Sequence, residues 1–329
     1  TVLTSDHGDR DLPSQEQRNG YEIRRFREFG NPLGNSITPG LFDALRDLRS
    51  DVDVIHAHSH LYLSTNVAAV LSQFDDTPLV VTNHGLYSQS APEWFNRAFL
   101  STIGRFTFEA ADRILCYTDT DEQRLRELGV SAPVEVVHNG INCDTFEPVA
   151  DETDTPRVLF VGRLKESKGV RRLVDAFARV TGPDAQLDIV GEGPLEASLR
   201  ERCAEQDIGD DVTFHGRIPN DELPELYSRS AIFALPSTRE GLPRTVLEAM
   251  ACETPVVTSE IPQLAALVDD VGVTVPATEV DPLAEELEQL LANTERRNEL
   301  GERSRERVVE GYSWLETVRE TTDVYYELL

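Results

Sequence analysis

The sequence predicts an α/β protein of two doubly wound domains, and three observations predict it. Short β-rich runs alternate with helix-length amphipathic patterns, the arrangement that favours parallel sheets. A polar, proline-flanked stretch without periodicity, Glu147-Pro-Val-Ala-Asp-Glu-Thr-Asp-Thr-Pro156, interrupts the alternation and reads as an interdomain linker. The 329 residues are enough chain for two domains of ordinary size. The domains are accordingly placed at 1–149 and 150–311.

In the first half, Val2–Thr4, Glu22–Phe26, Val54–His58, Leu79–Thr82, Arg113–Tyr117 and Val134–Val137 read as strands. In the second half, Arg157–Val161 is a strand and Val170–Val180 an amphipathic helix. Gln186–Val190 is a strand ended by Gly-Glu-Gly-Pro194, with a helix following to about Glu205. Val212–His215, Ala231–Leu235, Pro255–Thr258 and Val271–Val275 are further strands, and the chain is helical from Asp281 almost to its end. Two such domains imply a cleft between them. The second domain opens with strand, charged loop and helix, whereas the first opens directly on a short strand. A first strand–glycine loop–helix unit is therefore expected to be missing ahead of Thr1.

Composition excludes some partners. Fifty-nine acidic against 31 basic residues give a net charge of −28, which opposes nucleic acid and anionic membranes by general electrostatics. Abundant Asp and Glu with almost no Lys is the balance expected in a high-salt cytoplasm, where screening removes most self-repulsion. Cys116, Cys143, Cys203 and Cys252 lack metal-like spacing and read as free thiols of a reducing compartment. The sequence shows no signal peptide and no apolar run long enough to span a bilayer. The expected location is cytoplasmic, with peripheral attachment at the inner face of the membrane left open.

The run Ser237-Thr-Arg-Glu-Gly-Leu-Pro-Arg-Thr-Val-Leu-Glu-Ala-Met250 is the most informative. Glu240 follows an apolar strand, Gly241 is expected to let the turn close, and Leu242–Met250 reads as a helix. Glu248 lies two helical turns beyond Gly241, about 10 Å along the axis. Two carboxylates thus straddle a helix start at the carboxyl end of a strand, where open α/β sheets bind ligands. Helix N-termini also attract phosphate. The layout suits a ligand with a central diphosphate and hydroxyl-rich groups at both ends, as in a nucleotide sugar. A second signal agrees. The only lysines, Lys165 and Lys168, share one strand-to-helix loop with Arg163. An arginine can fork onto phosphate oxygens and a lysine can add a point charge.

These residues carry a family resemblance. VLFVGRLKESKG, IVGEGPL, VTFHGRI, EGLPRTVLEAMA with PVV, and VVHNGINCDTFEP resemble, in order and spacing, the segments of glycosyltransferase family 4. The resemblance implies the GT-B architecture of two Rossmann-like domains. It also implies that the closing stretch, 312–329, is a helix packing back on the N-terminal, acceptor-binding domain. The implied activity is retaining transfer of a hexose from a UDP- or GDP-hexose to a lipid-linked or glycan acceptor, with no cofactor and no metal. Arg163 and Lys168 would bind the diphosphate, Glu240 would face the donor sugar and Glu248 would hold the ribose. Backbone at Gly162, Gly191, Gly193, Gly241 and Leu242 would approach sugar or phosphate, and backbone near Arg217 and Ile218 would hold the base. His84, in the first domain, would stand near the reacting sugar. Pro243, Asn142 and Glu253 depart from the family pattern, where glycine, aspartate and glycine are common. Pro243 removes one N–H donor, although proline suits a first helical turn.

Other signals are weaker. His56, His58 and His60 alternate as on a strand; an acceptor site outranks a metal there, and plain packing outranks both. Asp51-Val-Asp53 reads as a solvated turn. Trp94, Phe95, Phe99, Ile103 and Phe106, with Arg97 and Arg105 nearby, read as a core-facing helix stripe before a lipid-docking surface. Two other functions share the sequence: an epimerase of the same architecture, and a non-catalytic nucleotide-sugar-binding protein.

Overall fold

Strand β1 (Val2–Ser5) runs parallel to β3 (Tyr21–Phe26), and β2 (Gln15–Arg18) closes this small sheet antiparallel to β3. β2 is not among the strands expected, because Gln-Glu-Gln-Arg lacks β-branched and aromatic residues. Its legible signal is Asn19-Gly20, whose positive φ angles of 48° and 89° make the two-residue turn that matches strand twist. In the computed structural model, residues 1–329 are described apart from 8, 10, 33–34, 75, 87–91, 150–152, 154 and 183.

The chain then alternates through α1 (Pro39–Leu48), β4 (Ile55–His58), α2 (Leu63–Leu71), β5 (Leu79–Asn83), α3 (Glu93–Phe99), α4 (Arg105–Glu109), β6 (Arg113–Cys116), α5 (Asp119–Glu127) and β7 (Val134–Val136). Strands β4 to β7 form a parallel sheet in sequence order. Every residue of β5 is buried, as a strand covered on both faces requires. Leu79, Val81 and Ile114 pack with Ala68, Ala69 and Phe108 in one core, while Val80 and Leu115 pack with Val137 and Val324.

The stripe from Trp94 to Phe106 is split: Phe95 and Phe99 are half-buried and the other three residues are exposed. Trp94 is 70% exposed, Ile103 50% and Phe106 43%. A π-helical turn, Leu100–Gly104, separates α3 from α4 and shifts the helical phase. The buried face consequently passes to Leu100, Gly104, Thr107 and Phe108.

The second sheet follows with β8 (Arg157–Val161), α6 (Val170–Phe177), β9 (Gln186–Val190), α7 (Glu196–Glu205), β10 (Val212–Gly216), α8 (Leu223–Ser228), β11 (Ile232–Leu235), α9 (Arg244–Ala251), β12 (Val256–Ser259), α10 (Pro262–Val268) and β13 (Val273–Val275). All six strands are parallel, in the order β10-β9-β8-β11-β12-β13. The winding direction reverses between β8 and β11. Helices α11 (Asp281–Leu291), α12 (Thr294–Gly311) and α13 (Trp314–Leu328) complete the chain.

Two units result: Thr1–Val137 with Glu320–Leu329, and His138–Arg319. The division falls after Val137 rather than in the 147–156 stretch, of which 150–152 and 154 lie outside the described residues. Residues 138–149 are held by the second unit. Ile141 bridges Ser313, buried Phe146 meets the Tyr227 ring edge-on, and the Val149 amide donates to Ser228 Oγ at 3.1 Å. Among the described residues, no helix is long and apolar enough to cross a membrane, and no group of His, Cys, Asp and Glu is arranged to hold a metal. All four cysteines are free.

Candidate functional site

The reversal point of the second sheet puts the loops after β8 and β11 side by side. After β8 the chain makes a short 3₁₀ turn, Glu166–Lys168, and Gly169 enters α6 with φ 71°. This left-handed backbone suits glycine. The two loops are fastened together: the Thr238 amide donates to Ser167 O at 2.9 Å, and Arg172 Nη2 donates to Pro236 O at 2.8 Å. Lys168 and Glu240 therefore meet. Lys168 Nζ lies 2.6 and 2.9 Å from the two Glu240 carboxylate oxygens, and the Ser237 hydroxyl donates to one of them at 2.6 Å. Neither Ser237 nor Arg172 stood out in the sequence. The legible hint for Ser237 is a hydroxyl at a strand end, three residues before a carboxylate.

Gly162, Arg163, Gly191, Gly193, Arg217 and Ile218 surround one pocket of about 660 Å³ in the same unit. Glu192 lines the same pocket, so it brings two arginines and one carboxylate together. The glycines serve the backbone as well. A Cβ on Gly191 would overlap Gly162 O, and one on Gly193 would overlap Leu164 O, so the loops after β8 and β9 could not approach. The hydrogen bonds Gly162 N to Val190 O (3.0 Å) and Leu164 N to Glu192 O (3.0 Å) need that approach.

Gly241 differs from expectation. Its φ lies outside the left-handed region, and a Cβ would meet nothing within 4 Å. The turn does not require a glycine; the space above it is open. The helix also starts later than expected, at Arg244, with Pro243 at its N-cap and Leu242 buried before it. Most of α9 is buried, which carries Glu248 inside with it. Glu248 is 3% exposed and accepts a hydrogen bond from the hydroxyl of fully buried Tyr227 at 3.0 Å. Burial raises its pKa, against the opposing effects of Tyr227 and of Arg244, 3.8 Å away. Tyr227 reads in the sequence as one more apolar helix position, so its polar role was invisible there.

His84 belongs to the other unit. It follows β5 in a row across the ends of three adjacent strands: His84 Nε2 lies 3.0 Å from His58 Nδ1, and His84 Nδ1 lies 2.8 Å from Tyr117 Oη. His56 stacks on His58 and bonds Thr82 Oγ1 (2.6 Å) and the Tyr325 hydroxyl. His60 is fully buried against the Phe108 ring, centroids 4.6 Å apart, with both ring nitrogens buried and without a hydrogen-bond partner of normal geometry. Asp51 and Asp53 are exposed.

Burial pushes His56 down to about 3, with the charges of His58 and His84 adding to it, and pushes His60 to about 4. His84 falls to about 4 by burial first and His58 second, although its exposure to solvent works against the shift. The sign follows from proton linkage. Between the folded values and the ordinary 6.5, the unfolded chain binds protons that the folded chain does not, so stability falls as pH drops below 6.5. For His60 alone this costs about 2 kcal/mol at pH 5. Glu248, with a raised value, acts in the opposite direction in the other unit. Calorimetry at pH 7 and pH 5 should show the N-terminal transition falling further than the C-terminal one. His60→Phe should remove part of that fall. Equal shifts in both transitions, untouched by the substitution, would overturn this account.

A parallel sheet wound in this order, with cations and buried carboxylates at its reversal point, defines an α/β domain of the nucleotide-binding class. Comparison with known proteins agrees. Residues 1–145 match Glycosyltransferase Family 4, and 144–307 match Glycosyl transferases group 1. The D-inositol 3-phosphate glycosyltransferase of Kineococcus radiotolerans is 30% identical over 333 residues, covering 88% of this chain and 75% of the relative. Sucrose-phosphate synthase from Thermosynechococcus elongatus superposes with a TM-score of 0.80 at 27% identity, over 97% of this chain and 86% of that one. Anabaena HepE, solved in complex with UDP-glucose, gives 0.78 at 19% identity, over 93% and 86%. The chain belongs to the family 4, group 1 glycosyltransferases and has their GT-B fold of two Rossmann-like domains.

Proposed function

We propose that the chain moves a hexose from UDP- or GDP-hexose to a lipid-linked or glycan acceptor, with retention of anomeric configuration and without a divalent metal. The observation that carries this reading is the cluster of Lys168, Glu240 and Ser237 at the reversal point of the sheet. Arg163 and Lys168 take the diphosphate, and their charge stabilises the departing nucleotide. Glu240 takes sugar hydroxyls. Glu248 has one carboxylate oxygen on Tyr227 and the other 3.8 Å from the Arg244 side chain, and in this reading that second oxygen takes ribose hydroxyls. The base lies by Arg217 and Ile218, and the open space at Gly241 admits sugar or phosphate. Exposed Trp94, Ile103 and Phe106 support a lipid-linked acceptor reached from the inner face of a membrane.

The test is turnover of a panel of UDP- and GDP-hexoses after exhaustive chelation. UDP-glucose is offered first, and molar salt screens the −28 charge. Slow transfer to water serves while the acceptor is sought, and proton NMR should show the α anomer of the hexose released first. Strict dependence on magnesium or manganese, or first release of the β anomer, would sink the corresponding part of the proposal.

A further inference from the structure

In the reading just given, Lys168 faces a phosphate and Glu240 faces a sugar, yet the structure joins these two side chains to each other. Both Glu240 oxygens lie within hydrogen-bond distance of Lys168 Nζ, and Ser237 donates to one of them. The pair is poorly screened, with side chains 21% and 7% exposed, and Ser237 is fully buried. The backbones on both sides are fixed by the Thr238–Ser167 and Arg172–Pro236 hydrogen bonds. What can move is the ammonium, on its flexible four-carbon stem.

Two of the three ammonium N–H donors face Glu240, so a phosphate that engages more than the third takes Lys168 from Glu240. A bare nucleoside diphosphate would leave the carboxylate with Ser237 alone, beside new negative charge. A nucleotide sugar brings hydroxyl donors that replace the ammonium as partners of Glu240. We propose that the Lys168–Glu240 contact sets the selectivity of the site, favouring the nucleotide sugar over the nucleoside diphosphate that remains after transfer. Selectivity here is a difference of affinities produced by leaving the wrong ligand with an unpaired charge. The spent nucleotide is weakly held because Glu240 recaptures the lysine. This inference rests on the donor-site reading above.

Titration calorimetry with UDP, GDP and UDP-glucose tests it. Glu240→Gln keeps the shape and the Ser237 contact but drops the charge. It should tighten nucleoside diphosphate binding about tenfold, the low end for a charged hydrogen bond, while narrowing or reversing the preference for UDP-glucose. In a Lys168→Met background the same gain should shrink to a small part of itself, the mark of coupling between the two side chains. Ser237→Ala leaves Glu240 more dependent on Lys168 and should move diphosphate affinity the other way, which keeps the idea testable if Glu240→Gln folds poorly. Structural damage would weaken both ligands together. Unchanged or weaker diphosphate binding in Glu240→Gln, or a gain undiminished without Lys168, overturns the selectivity proposal. Failure of the unaltered chain to bind UDP, GDP or any nucleotide sugar of the panel would instead overturn the donor-site reading beneath it.

Discussion

Lys168→Ala should weaken binding of a nucleoside diphosphate by about 1.5–3 kcal/mol, the range for hydrogen bonds to charged groups. It should also destabilise the C-terminal unit, because Glu240 is then buried with Ser237 as its remaining hydrogen-bond partner. That second cost is about 1–3 kcal/mol, the desolvation penalty of an unpaired buried group tempered by the partial exposure of the pair. The two effects separate in the double variant Lys168→Ala/Glu240→Gln. Removing the stranded charge should restore most of the stability and little of the affinity. Calorimetry measures the first quantity and urea denaturation the second. If affinity and stability recover together, Lys168 holds the fold and not the ligand.

Much of this site could be read from the sequence because its parts are local. The strand, cationic loop and helix from Arg157 to Phe177 follow from composition and period alone. So does the strand that delivers Glu240. The contacts that give the site its character are not local. Tyr227 reaches Glu248 from α8, and the Arg172–Pro236 and Thr238–Ser167 bonds fasten loops that lie far apart along the chain. No periodicity announces such pairs, because any apolar helix position or strand-end hydroxyl looks the same in one dimension. The stripe beginning at Trp94 misleads for a related reason. Its spacing assumes an unbroken α-helix, and one π turn suffices to rotate the buried face. The unit boundary is displaced because polarity between Glu147 and Pro156 marks exposure, whereas buried Ile141 and Phe146 decide which unit residues 138–149 join.

The glycines of the two loops offer a sharper separation of fold from function, since the same substitution should have opposite consequences at two of them. Gly169 has φ 71°, and a Cβ there would overlap the Pro236 carbonyl oxygen, a backbone atom that cannot step aside alone. Gly169→Ala combines left-handed strain with overpacking and should cost the C-terminal unit about 2–5 kcal/mol. Relief requires the loops after β8 and β11 to part, which breaks the Thr238–Ser167 hydrogen bond and draws Lys168 away from Glu240. Gly241 has ordinary backbone and open space around it. Gly241→Ala should leave the melting temperature nearly unchanged and still weaken nucleotide-sugar binding, because the added methyl occupies space that the proposed donor needs. Thermal denaturation and calorimetry on the two variants decide the matter. An unaltered melting temperature for Gly169→Ala would mean that the loops are not locked as described. Full donor affinity in Gly241→Ala would move the ligand away from the start of α9.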